Sequence, residues 1–120
     1  MSDTDEIPLV RPFAGLRPAP EHAAGVAAPP YDVVTTEEAR ALVSLRPWSF
    51  LHVSKAEIDL PPGTDHYAPE VYAKAASNLK HMVAQGVLRR DPAPRYYIYR
   101  VGMGDHMQTG IVGAGSVAAY

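Results

Sequence analysis

Tyr31 and Asp32 follow the pair Pro29-Pro30, at the end of the apolar run Val26-Ala27-Ala28. Each proline has a fixed φ and no backbone donor, so the pair ends a strand and presents the next two side chains on a stiff, extended approach. A rigid Tyr-Asp pair at a strand end is a plausible binding element, and by itself it names no reaction. The competing, purely structural reading is that Asp32 caps the next helix and Tyr31 fills core, because proline and aspartate also punctuate turns. A second group lies in Ser49-Phe50-Leu51-His52-Val53-Ser54, whose alternation is that of a half-buried strand with His52 and Ser54 on one face and Lys55 following. Asp32 and His52 are thus the candidate catalytic residues. Arg11, Tyr31, Ser54 and Lys55 are the candidate substrate contacts, and Arg11, Tyr31, Asp32 and His52 are expected around one concave surface.

Elements must hold these residues in place. Pro8 to Leu16 reads as a short extended edge segment limited by Pro12 and Gly15, and Gly25 to Ala28 as a small-residue strand. Thr35-Thr36-Glu37-Glu38 opens a helix, with a threonine N-cap and carboxylates where the macrodipole favours them. It runs to about Leu45, carries Ala39, Leu42 and Val43 on one face, and stops at Pro47. Ile58 to His66, containing Pro61-Pro62-Gly63, is a loop. The strongest helix spans Pro69 to Ala84, with Gly86 suited to its end. Its apolar stripe is Val71, Tyr72, Ala75, Ala76, Leu79, Met82 and Val83, and its polar face carries Lys74, Asn78, Lys80, His81 and Gln85. Tyr96 to Val101 is a strand, Gly102 to His106 a turn, and Gln108 to Val117 the return strand.

The fold class expected is therefore α+β: a mixed β-sheet with two main helices and a C-terminal β-hairpin. Residues 1–8 form a frayed acidic start, and 9–120 one domain. The return strand runs to Tyr120 without a cap or polar tail, so the domain is expected to be incomplete at that end and its exposed edge to pair with a second copy.

A chain of 120 residues, 47% apolar and 20% charged, supports one hydrophobic core. Its net charge of -2 gives no general attraction to nucleic acid or an anionic membrane. No apolar run nears the roughly 18 residues of a membrane span, and the acidic start Met1-Ser2-Asp3-Thr4-Asp5-Glu6 is unlike a basic export leader. The absence of cysteine excludes disulfides, a thiolate nucleophile and Cys-ligated metals, and fits a reducing, cytoplasmic setting.

His22, His52, His66, His81 and His106 never fall at metal-binding i, i+4 spacing, so no metal ligand is assigned. Gly102, Gly104, Gly110, Gly113 and Gly115 form no phosphate loop, and no serine sits in a Gly-x-Ser-x-Gly elbow. Arg89, Arg90, Arg95 and Arg100 interleave with Tyr96, Tyr97 and Tyr99, a mixture that can stack on and neutralise single-stranded nucleic acid. A non-catalytic nucleic-acid- or protein-binding module using this hairpin is the alternative to an enzyme, although the acidic balance disfavours nucleic acid.

The chain resembles domain-of-unknown-function family 1015. The resemblance rests on Arg11-Pro12-Phe13-Ala14-Gly15-Leu16-Arg17, Ala28-Pro29-Pro30-Tyr31-Asp32-Val33, Pro47-Trp48-Ser49-Phe50-Leu51-His52-Val53, Gly86-Val87-Leu88-x-Arg90-Asp91 and Tyr96-Tyr97-Ile98-Tyr99, in that order. It implies a longer parent protein with a His-Glu-x-Thr-Arg-Pro motif just beyond the point where this sequence stops, so this fragment alone is expected to be inactive. A further likeness of the family to the ParB and sulfiredoxin-like superfamily, which includes free serine kinases, implies a phosphate- or nucleotide-handling enzyme, kinase- or phosphatase-like. The implied reaction is serine-related phosphoryl transfer, with a phosphorylated small molecule or nucleotide as partner and a divalent metal in the full-length parent; in such a reaction Asp32 would suit a base or metal-facing role and Arg11 or His52 a phosphate contact.

Overall fold

The structure is a computed structural model that describes residues 8–118. The chain divides into two units: Arg17–Arg89, and the described residues up to Leu16 together with those from Arg90 onward. Tyr120 and the first seven residues, on which the frayed start and the uncapped end were read, lie outside the described residues.

The Arg17–Arg89 unit is mainly helical. Strand β2 (Leu16–Pro18) pairs with β3 (Leu88–Arg90), and the pairing continues as Ala19 N donates to Val87 O at 2.8 Å. A single helical turn, α1 (Ala23–Val26), stands where the small-residue strand was expected. Pro20 opens a 3₁₀ turn whose direction Ala23 and Ala24, good helix formers, continue.

Helix α2 (Thr36–Ser44) begins at a capping box in which Thr35 Oγ1 accepts from Glu38 N at 3.1 Å and Glu38 Oε1 accepts from Thr35 N at 2.9 Å. These hydrogen bonds hold the Glu38 carboxyl below its ordinary value. The cap is therefore Thr35 and not Asp32. Helix α4 spans Pro69–Ala84, with Pro69 opening it and Gly86 just beyond at φ 73°.

Residues 49–54 correct the strand reading. Buried Ser49 turns its Oγ back to accept from Leu51 N at 3.2 Å, and α3 (Leu51–Ser54) follows as one helical turn. Six residues of alternating apolarity do not distinguish a strand from a short helix, and among the described residues no neighbouring strand supplies a ladder here. His52 and Ser54 thus share no strand face.

Ala39, Leu51 and Ile58 form the core of this unit, with Ala28, Val34 and Val43 packed on it. From α4, Val71 and Met82 are buried and Ala75, Asn78 and Leu79 half-buried, whereas Tyr72, Ala76 and Val83 are exposed. The inward arc is centred on Val71, Asn78 and Met82, which lie within about 40° of one another at 100° per residue. It is rotated from the expected stripe toward the polar side.

The other unit is built on strands. β4 (Tyr97–Met103) and β5 (His106–Val112) form an antiparallel hairpin, in register from Tyr97 opposite Val112 to Met103 opposite His106. The two-residue turn begins with Gly104 at φ 59°, a left-handed value that glycine adopts without penalty. The return strand stops at Val112, and β6 (Ala114–Gly115) pairs instead with β1 (Val10–Arg11), antiparallel. Among the described residues the strands thus form three two-stranded pairs in place of one mixed sheet, and the α+β class holds.

Gly15 explains a further motif. Its N–H donates to Tyr97 Oη at 2.6 Å, that hydroxyl donates to Asp91, and a Cβ on residue 15 would fall 2.6 Å from the same oxygen. Phe13 packs its ring on Tyr97 at 5.1 Å and exchanges backbone hydrogen bonds with Arg95.

Candidate functional site

Pro30, at ψ 143°, leads Tyr31 and Asp32 into a 3₁₀ turn, Tyr31–Val33, and not off a strand end. The turn leaves both side chains exposed. Tyr31 does not fill core, and the Asp32 carboxylate has no partner among the described residues.

Lys55 caps α3 and is 8% exposed. Its Nζ donates to Tyr31 O at 3.0 Å, which ties the end of α3 to the Tyr31-Asp32 corner. An ammonium has three donors, and this carbonyl is the one hydrogen-bond partner of Lys55 Nζ among the described residues. A cavity of about 380 Å³ lies here, lined by Tyr31, Asp32, Ser54, Lys55, Glu57 and His66 among others. The Ser54 hydroxyl is already donated to Phe50 O at 3.2 Å, so it can only accept from a ligand.

Glu57 and His66 were not singled out in the sequence. His66 Nδ1 meets Glu57 Oε2 at 2.5 Å, with the Glu57 side chain 9% exposed. Burial pushes the Glu57 carboxyl up, but hydrogen bonds from His66 and from its own backbone N–H, with the charges of Lys55 and His66, outweigh it and hold the group below its ordinary value. Glu57 is thus a fixed negative charge beside Lys55. The 3₁₀ turn Ala56–Asp59 that carries it is clamped by Arg40 of α2, whose Nε donates to Ile58 O at 3.2 Å and whose Nη2 donates to Leu60 O at 3.0 Å.

Tyr31, Asp32, Ser54 and Lys55 therefore share one cavity, whereas the other two expected residues do not line it. Arg11 lies on β1, in the other unit. His52 leaves the helical turn of α3 on a different side from Ser54 and lines a separate cavity with Trp48, Asp59 and Asn78. Its Nδ1 contacts Asp59 Oδ2 at 2.6 Å. The split follows from α3 itself, since successive residues of a helix diverge by 100°.

The cavity gathers a cation with open donors, an unpaired carboxylate and a hydroxyl acceptor, a set that can hold an anion and take a proton from a neighbouring hydroxyl. Among the described residues no three His, Asp or Glu side chains are grouped to hold a metal ion, so these donors do not by themselves fit a divalent-metal site. No helix among the described residues is long and apolar enough to cross a membrane.

No curated protein and no solved structure matches the chain. A family model does, over residues 10–120, from β1 through the Tyr31-Asp32 corner to the β4–β5 hairpin: the chain belongs to the family described as protein of unknown function DUF1015.

Proposed function

We propose that this chain belongs to an enzyme acting on a phosphorylated small molecule or nucleotide, with the cavity of Tyr31, Asp32 and Lys55 as its substrate site. One observation carries the reading: Lys55 is 8% exposed and among the described residues spends a single Nζ donor, on Tyr31 O, while it lines a cavity shared with the Asp32 carboxylate, which has no partner among those residues. A buried cation with unused donors is best satisfied by an anion, and phosphoryl oxygens supply both charge and acceptors. Asp32 then takes the proton of an acceptor hydroxyl, such as that of serine, as its oxygen bonds to phosphorus. The leaving diphosphate departs with the electron pair of the broken P–O bond. The same reading includes a cytoplasmic setting, in keeping with the absence of cysteine.

Transfer of labelled γ-phosphate from ATP to serine tests this in the full-length protein. Loss of a general base costs about 10²–10⁴-fold, so Asp32→Asn should lower turnover by that factor. Turnover unchanged in Asp32→Asn would remove Asp32 from the chemistry.

The binding-module alternative has less support. Arg89 pairs with Glu21 at 3.3 Å, Arg90 donates to Ala14 O at 3.1 Å, and Tyr97 is engaged by Gly15 and Asp91. What the hairpin does expose is apolar, with Ile98, Met103 and Ile111 more than 70% accessible. That favours self-association through β4–β5, and sedimentation velocity that shows only monomer across a concentration series would exclude it.

A further inference from the structure

The cavity around His52 lies on the opposite flank of α4 from the Asp32 cavity. Around α4, Tyr72 and Ala75 line the Asp32 cavity, whereas Lys74, Asn78 and His81 line that of His52, displaced the other way round the helix from the buried Val71. Its volume is about 310 Å³.

Three side chains at this cavity are locked together. The Asn78 amide donates to His52 O at 2.7 Å and to Asp59 Oδ2 at 3.0 Å, and Asp59 Oδ2 accepts from His52 Nδ1 at 2.6 Å. With Nδ1 bearing the hydrogen, a neutral His52 has its lone pair on Nε2, a proton acceptor with no partner among the described residues. The side chain of His52 is 19% exposed and that of Asp59 24%, so the network is largely shielded from water. The side chain of Lys74, half-buried on the same cavity, has no hydrogen bond or ion pair among the described residues. Trp48 supplies an apolar wall, held by the His81 ring at 5.4 Å and 31°.

We propose that this cavity is a second small-molecule site, separate from the Asp32 cavity, and that it takes a small hydroxy-acid anion: the carboxylate meets Lys74 and the hydroxyl donates to His52 Nε2. Lys74 selects an anion. The Nε2 lone pair repels a bare oxyanion and rewards one that carries a donor, so the two groups together specify an acid with a hydroxyl beside it. Asp59 and Asn78 are positioning residues, which fix the ring and its tautomer.

Trp48 is the sole tryptophan of the chain, so its fluorescence reports on this cavity directly. The test titrates the protein with glycolate and with acetate, which lacks the hydroxyl, and follows both Trp48 emission and heat. Glycolate should saturate both signals and bind about tenfold tighter than acetate, the size of one hydrogen bond to a charged or strongly polar partner. Lys74→Gln should weaken glycolate about tenfold or more, and His52→Gln should abolish the preference over acetate. Lys55→Met, in the other cavity, should leave the glycolate titration unchanged. Absence of a saturable response by both methods, equal affinity for the two acids, an unaffected Lys74→Gln, or loss of binding in Lys55→Met would each overturn the assignment. Should His52→Gln fail to fold, the Lys74→Gln result and the glycolate-to-acetate ratio decide it.

Discussion

Lys55 Nζ donates to the backbone oxygen of Tyr31 at 3.0 Å, across 24 residues of sequence. This hydrogen bond joins the end of α3 to the Pro-Pro-Tyr-Asp corner and sets a buried cation on the cavity that Asp32 also lines. Lys55→Met keeps most of the packing but leaves that carbonyl without its donor. A hydrogen bond to a charged donor contributes about 1.5–3 kcal/mol, and the partly exposed Tyr31 carbonyl can turn to water instead, so chemical denaturation should show a loss of about 1–2 kcal/mol. A loss below about 0.5 kcal/mol would mean that the corner does not depend on Lys55.

Arg40 is the second support of the site. Its guanidinium reaches three carbonyls of the turn that carries Glu57 and Asp59, those of Glu57, Ile58 and Leu60. A lysine, as a point donor, cannot reproduce that fork. Arg40→Lys is therefore expected to destabilise the protein by about 1–2 kcal/mol and to raise hydrogen exchange first in residues 56–60. Unchanged exchange there would remove Arg40 from this role.

Glu57 makes the stability depend on pH. Its carboxyl sits below its ordinary value in the folded protein, so its contribution is fully present above the ordinary glutamate value of about 4.3. It is lost as pH falls through the lower, folded-state value. The melting temperature of Glu57→Gln should therefore lie below that of the unmodified protein at neutral pH, and the gap should close as the solution is acidified below about pH 4. A gap that is constant from neutral to acid pH would contradict this.

In the strand-built unit, Gly15→Ala places a Cβ against the Tyr97 ring and hydroxyl. The ring is held by its hydrogen bonds to Gly15 and Asp91 and by Phe13, so it cannot move away freely. Overpacking of this kind costs about 1–3 kcal/mol. Thermal unfolding of Gly15→Ala in a Tyr97→Ala background should recover most of the loss, and no recovery would show that the clash is not the cause.

The sequence shows α2 and α4 plainly because their ends are marked, by the Thr35-Glu38 capping box in one case and by Pro69 and Gly86 in the other. The face of α4 is harder to read. Asn78 is a poor helix former that hydrogen bonding draws inward, so the arc it shares with Val71 and Met82 leaves Tyr72 and Val83 outside. Residues 49–54 are too short for periodicity to decide, and taking them as a strand put His52 beside Ser54 and merged two cavities into one. The Glu57–His66 pair joins a 3₁₀ turn to a loop, where no repeat marks the residues that will meet. The Pro29-Pro30-Tyr31-Asp32 corner was visible as an unusual element, but the Lys55 hydrogen bond that completes it depends on a tertiary contact.

The central claim is that the cavity of Asp32 and Lys55 holds a phosphorylated ligand. Calorimetric titration of ATP into the protein, Asp32→Asn and Lys55→Met tests it most directly. Saturable binding is expected in the unmodified protein, affinity within about threefold of it in Asp32→Asn, and a weakening of tenfold or more in Lys55→Met, since a charge-assisted hydrogen bond is worth about 1.5–3 kcal/mol. Absence of binding in the unmodified protein, or equal affinity in Lys55→Met, would contradict the claim.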